Sequence, residues 1–127
     1  MITRLDHLQL AMPPGGEDRA RSFFQDLIGM REDPKPGPLA GRGGCWFSGG
    51  GAIVHLGVEK DFAPQRKAHP AFCVLSLDEL AQRLAAAGFA VVWDEVLPGR
   101  RRFYTADPFG NRIEFIHDGD GFSQRGG

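Results

Sequence analysis

Cysteine is scarce in this chain. Cys45 and Cys73 are the only two, far apart and each set in an apolar, strand-like run. Two such residues make no disulfide framework, and both read as buried thiols of a protein in the reducing cytoplasm. There is no C-x-x-C pair, which removes thiolate zinc sites. No apolar run approaches the roughly 20 residues that cross a bilayer. The N-terminus lacks the basic-then-apolar pattern of a secretory signal, so no membrane partner is expected. Excess charge of one sign is also missing, since 15 Lys and Arg face 16 Asp and Glu for a net charge of −1. The one dense basic run, Arg100-Arg101-Arg102, is too short for a nucleic-acid surface and reads as a solvated hairpin.

What is present is an ordinary globular composition, 42% hydrophobic and 24% charged over 127 residues. That length suits one compact unit, or two small halves sharing a core. The stretch RLDHLQLAM, residues 4–12, alternates as a strand does, and places His7 and Gln9 on the face opposite Leu8, Leu10 and Met12. PPGGED then turns into a helix with Ala20, Phe23, Phe24, Leu27 and Ile28 at helical spacing, ended by Gly29. A weak strand near residues 30–32, a Pro/Gly-rich loop, and the runs CWF and AIVHLGVE around a glycine turn complete a β-α-β-β-β order.

The order then repeats. AHPAFCVLS reads as a strand and LDELAQRLAAAGF as a helix, with Ser76 as N-cap and Glu79 as its capping-box partner. AVVWDEV, RRFYTA and RIEFIHD follow as strands. The fold class expected is therefore α+β: two tandem βαβββ modules, about residues 2–59 and 67–117, with helices covering the outer, apolar face of a curved sheet. The copies lie about sixty residues apart. That offset brings His7 into correspondence with His69, on the first strand of each copy, and His55 with Glu114, on the last. All four positions carry metal-competent side chains on the more polar face of their strands. They can converge if the copies pair about a pseudo-twofold axis.

These segments carry a resemblance. LDHLQLAM, RSFFQDLIGM, AHPAFCV and above all FYTADPFGNRIEF resemble the vicinal oxygen chelate superfamily over about residues 2–117. This superfamily includes glyoxalase I, extradiol dioxygenases, fosfomycin-resistance thiol transferases, bleomycin-resistance proteins and methylmalonyl-CoA epimerase. Residues 107–114 resemble the family's closing D-P-x-G-x-x-x-E hairpin, which implies that Glu114 is presented on its strand, and the family implies that the two modules curve into a mixed-sheet partial barrel with helices on the outer face. The resemblance implies a divalent metal (Fe, Mn, Ni or Zn) held by His7, His69 and Glu114, with His55 where glyoxalase I has a glutamate. It implies catalytic roles for Tyr104 and His55, and a small oxygenated substrate chelated through two adjacent oxygens. The metal then stabilises an oxyanion or enolate as a Lewis acid. A homodimer is the family expectation, with the four residues drawn from one chain or two. Ring cleavage is disfavoured, because Glu95, Val96 and Leu97 stand where an acid-base histidine belongs. The competing reading is a metal-free sequestering protein of the bleomycin-resistance type. Trp46, Phe47, Phe72, Trp93 and Phe103 read as core or pocket wall, His117 as a solvated strand end, and the closing GFSQRGG as a loose tail.

Overall fold

Short alternating segments fold here into two small sheets that share one helical core. The computed structural model describes residues 1–119; the GFSQRGG segment lies outside them. The first half comprises β1 (Leu8–Met12), α1 (Glu17–Arg21), β2 (Arg31–Asp33), β3 (Cys45–Gly49) and β4 (Ala52–Val58). The second comprises β5 (Ala71–Val74), α2 (Leu77–Ala86), β6 (Val92–Asp94), β7 (Arg102–Ala106) and β8 (Arg112–His117). Strand orders are β1-β4-β3-β2 and β5-β8-β7-β6, the same arrangement twice. In each sheet the first and last strands of the half run parallel and the other pairings are antiparallel. The α+β class and the doubled βαβββ order are those expected from the sequence.

Burial follows strand parity in β1 and β4, while in β8 the four residues Ile113 to Ile116 are all buried. Leu10 and Met12 of β1, Val54 and Leu56 of β4, and Ile113 and Phe115 of β8 enter one continuous cluster with Phe23, Phe24, Leu77, Leu80 and Leu84 from the helical segments. Each fully buried side chain of this size contributes about 1.5–3 kcal/mol of transfer free energy. Both sheets thus turn their apolar faces to a common core and their more polar faces away from it.

Several local expectations are corrected. The first strand begins at Leu8 rather than residue 4, so His7 sits at its mouth and not within it; His69 likewise precedes β5. The first helix changes character after Arg21, where Ser22–Leu27 forms a π segment with Ile28 N–H bonded to Phe23 O. The widened turn lets the neighbours Phe23 and Phe24 both point inward, and each is fully buried. Part of the Pro/Gly-rich loop is a 3₁₀ turn, Gly37–Arg42. Ser76 caps α2 by position, without a side-chain hydrogen bond. Cys45 is buried as expected, but Cys73 is exposed, because β5 shows that side chain to the polar face.

Candidate functional site

The strand register turns the repeat into geometry. Gln9 pairs with His55, and across β4 His55 pairs with Trp46. Ala71 pairs with Glu114, and across β8 Glu114 pairs with Tyr104. His7 and His69 each stand two residues before the first member of those rows. His7 is therefore to His55 as His69 is to Glu114.

On the first sheet, three rings stack. The imidazoles of His7 and His55 lie 4.1 Å apart, and His55 lies 3.9 Å from the Trp46 ring, nearly parallel to it. Burial, with His7 as a second cause, lowers the His55 pKa from its ordinary value and keeps that ring neutral near pH 7. His7 Nδ1 lies 2.8 Å from Asp6 Oδ2. A carboxylate can only accept, so Nδ1 donates, and Nε2 is the ring nitrogen left free to act as a ligand. The hydrogen bond from His7 also holds the exposed Asp6 carboxyl below its usual range.

On the second sheet, His69 Nδ1 donates to Lys67 O at 2.9 Å and Nε2 lies 3.0 Å from Glu114 Oε1. With Nδ1 engaged, that contact is filled by a proton on one of the two atoms or by a cation that both share. The separation is also that of two donor atoms binding one metal at about 2.0–2.2 Å near a right angle. A neutral imidazole and a carboxylate form a donor set for a divalent transition metal, so the residues fit the group. Glu114 is 4% exposed. Its Oε2 accepts from Arg102 at 3.2 Å, and Arg102 also reaches Asp94 at 3.1 Å. Arg102 Nε is buried and without a partner among the described residues. Tyr104 meets the His69 ring edge-on at 5.3 Å, under the Arg112 guanidinium at 4.0 Å.

The structure thus joins His7 with His55, and His69 with Glu114 and Tyr104. Among the described residues of one chain, no three His, Cys, Asp or Glu side chains come close enough to hold a metal. The two pairs sit on the polar faces that both sheets turn away from the shared core.

Sequence reasoning under-read three residues. Arg102 belongs to this site and not to a solvated hairpin; its alternation with Tyr104 along β7 was the available signal. Trp46, expected as core or wall, is the platform under His55. Asp6, on the face opposite His7 in an extended strand, reaches the imidazole because the chain is not yet strand there. Trp93 is 41% exposed and lies under Arg101, a pocket-wall residue and not core.

A family model, the Glyoxalase/Bleomycin resistance protein/Dioxygenase superfamily, matches residues 4–115. Among solved structures, a Bacillus anthracis protein assigned to the glyoxalase family is 50% identical, with a TM-score of 0.88 over 92% of this chain and 96% of that one. A point mutant of the fosfomycin resistance protein FosX from Listeria monocytogenes, complexed with Mn(II) and 1S,2S-dihydroxypropylphosphonic acid, is 20% identical, with a TM-score of 0.77 over 92% and 93%. A glyoxalase/dioxygenase from Nostoc punctiforme is 21% identical, with a TM-score of 0.74 over 92% of each chain. Among curated proteins, none matches.

Proposed function

Because this chain belongs to the Glyoxalase/Bleomycin resistance protein/Dioxygenase superfamily, we propose that it is a divalent-metal-dependent enzyme acting on a small oxygenated substrate, as a lyase/isomerase or transferase. Residues 2–59 and 67–117 are its two modules in a single domain, and the active form is a cytoplasmic homodimer. The observation that carries this reading is the His69–Glu114 pair with its counterpart, His7, at the same place in the other sheet. The polar faces of one chain turn away from their common core. His7, with His55 beside it, therefore meets His69 and Glu114 of a second copy.

The metal (Fe, Mn, Ni or Zn) would be held by His7, His69 and Glu114, with His55 as a further ligand or as an acid-base group. When bound, it supplies Lewis acidity toward two adjacent substrate oxygens. The chain supplies the rest. Asp6 and the Lys67 carbonyl fix the tautomers of His7 and His69, and Arg102 fixes the orientation of Glu114. Neutral His55 is able to take a proton from substrate. Tyr104, held between His69 and Arg112, offers its hydroxyl to a substrate oxygen as charge develops there. The Mn(II) and the dihydroxy phosphonate bound by the Listeria protein are consistent with such chemistry on this fold.

A second reading, a metal-free sequestering protein, draws on the His7–His55–Trp46 stack as a platform for a flat ligand. Metal analysis of protein purified without chelator or affinity tag decides between the two. The enzyme reading expects one divalent cation per chain, lost in His7→Ala and in Glu114→Ala. A metal-free wild type that still binds small ligands favours sequestration. A screen on catechols, 2-oxoaldehydes with thiols, and fosfomycin then separates the reactions.

A further inference from the structure

Beside the ring stack, on the first sheet, lies a cavity of about 350 Å³ lined by Gln9, Lys35, Arg42, Trp46 and Gly57 among others. Its size is at the lower end of small-ligand pockets. The charge of its lining is one-sided: two cations and a carboxamide stand with an indole and the aliphatic Leu39, Leu56 and Val58, and no carboxylate is among the described lining residues. Glu17 approaches the cavity wall from behind Gly43: its Oε2 accepts from the Gly44 N–H at 2.8 Å, and Lys35 is among the cations that lower its pKa. Lys35 donates to the Gly43 carbonyl, which ties the two ends of the 3₁₀ turn and fixes the ammonium at the cavity wall. Gln9 lies across Gly57, where a Cβ would come within 2.5 Å of its Nε2. Glycine at that position gives the carboxamide its room, and that carboxamide has no hydrogen bond among the described residues.

Trp46 connects this cavity to the site. The same indole that lines it stacks on His55, and Gln9 is the strand partner of His55. A molecule in the cavity therefore has one end among donors and cations and the other against the indole that stacks on His55. We propose that this cavity recognises an oxyanion of the substrate, a carboxylate or phosphoryl group, gripped by Lys35, Arg42 and the Gln9 carboxamide while Trp46 packs against the adjoining carbon skeleton. The substrate class is then a small anion carrying its reactive oxygens a short distance from its charged end. The proposal rests on the reading above only for which end reacts; binding of the anion itself needs no metal.

The test uses metal-stripped full-length protein in a Trp93→Phe background, which leaves Trp46 as the sole tryptophan. Inorganic phosphate and malonate are titrated separately at constant ionic strength while Trp46 emission is followed. A saturable change is expected with at least one of them, and which one responds distinguishes phosphoryl from carboxylate recognition. Lys35→Ala with Arg42→Ala should weaken it at least tenfold, Arg42→Glu should abolish it, and Lys35→Arg should retain it. No saturable change, or equal affinity in the double variant, overturns the proposal. Arg42 is exposed, so its reversal is not expected to unfold the chain; unchanged circular dichroism confirms that the loss is one of binding. A wild type that takes up metal but no oxyanion overturns this subsite alone. One that binds oxyanion but no metal supports the subsite and overturns the metal reading.

Discussion

His69 Nε2 stands 3.0 Å from Glu114 Oε1, at the place in the second sheet that His7 occupies against His55 in the first. Glu114→Gln keeps the shape of this pair and removes the negative charge. Loss of metal uptake by roughly a hundredfold in affinity is expected, read by calorimetric titration with Mn(II) or Zn(II), with a drop in thermal stability smaller than that of removing Arg102, because the guanidinium keeps Asp94. Metal affinity equal to wild type would take Glu114 out of the ligand set.

Arg102 acts through Glu114. Its guanidinium bridges Glu114 and Asp94 while mostly buried. Arg102→Met leaves a buried carboxylate without its cation, a change that costs about 3–5 kcal/mol when a buried pair is broken. Metal affinity should fall by about 10–100-fold. The expected signature is that added metal restores part of the lost melting temperature in Arg102→Met, by neutralising Glu114, and none in Arg102→Met with Glu114→Gln. Differential scanning calorimetry with and without Mn(II) checks this.

Burial pushes the Cys45 thiol up to about 11 from an ordinary 9.0. A raised folded-state pKa favours the neutral thiol in the folded protein. The stability it supplies is complete below pH 9 and is lost as pH rises toward about 11. Urea titrations from about pH 8 to pH 11 should show this decline in wild type and a flatter profile in Cys45→Ala. Near neutral pH a thiol reagent should label exposed Cys73 promptly and Cys45 only after unfolding.

Two glycines of the first half should differ sharply in how much an alanine costs. At Gly44, φ is +84° and a Cβ would fall 2.1 Å from the Leu56 carbonyl oxygen, backbone that cannot withdraw. Gly44→Ala should cost about 2–4 kcal/mol by chemical denaturation. At Gly57 the obstacle is the flexible end of Gln9, so Gly57→Ala should cost under about 1 kcal/mol while displacing the carboxamide and weakening the oxyanion response of Trp46.

Much of this was legible in the chain because duplication prints everything twice. The pairings of Gln9 with His55 and Ala71 with Glu114 reproduce the offsets read from residue numbers alone. Parity along β4 and β8 placed His55 and Glu114 on the faces opposite Val54 and Phe115. Strand limits were less legible, since alternation continues through residues 4–7 although no strand among the described residues pairs with them. The π segment was hidden as well: two adjacent phenylalanines suit an ordinary helix, and only tertiary packing decides that both turn inward. Arg102 was obscured by its neighbours, because three consecutive arginines look alike until β7 sends the third to the face that Glu114 occupies.

Turning both polar faces outward has a genetic corollary. In the proposed dimer each subunit lends an imidazole pair to one centre and a histidine–glutamate pair to the other, so injuries at His7 and at Glu114 fall on different halves. Two defective alleles, one altered at each position, should rescue one another when coexpressed, since half of the centres in their mixed assemblies are wild type and the other half doubly damaged. An allele altered at both positions should instead poison every assembly it enters.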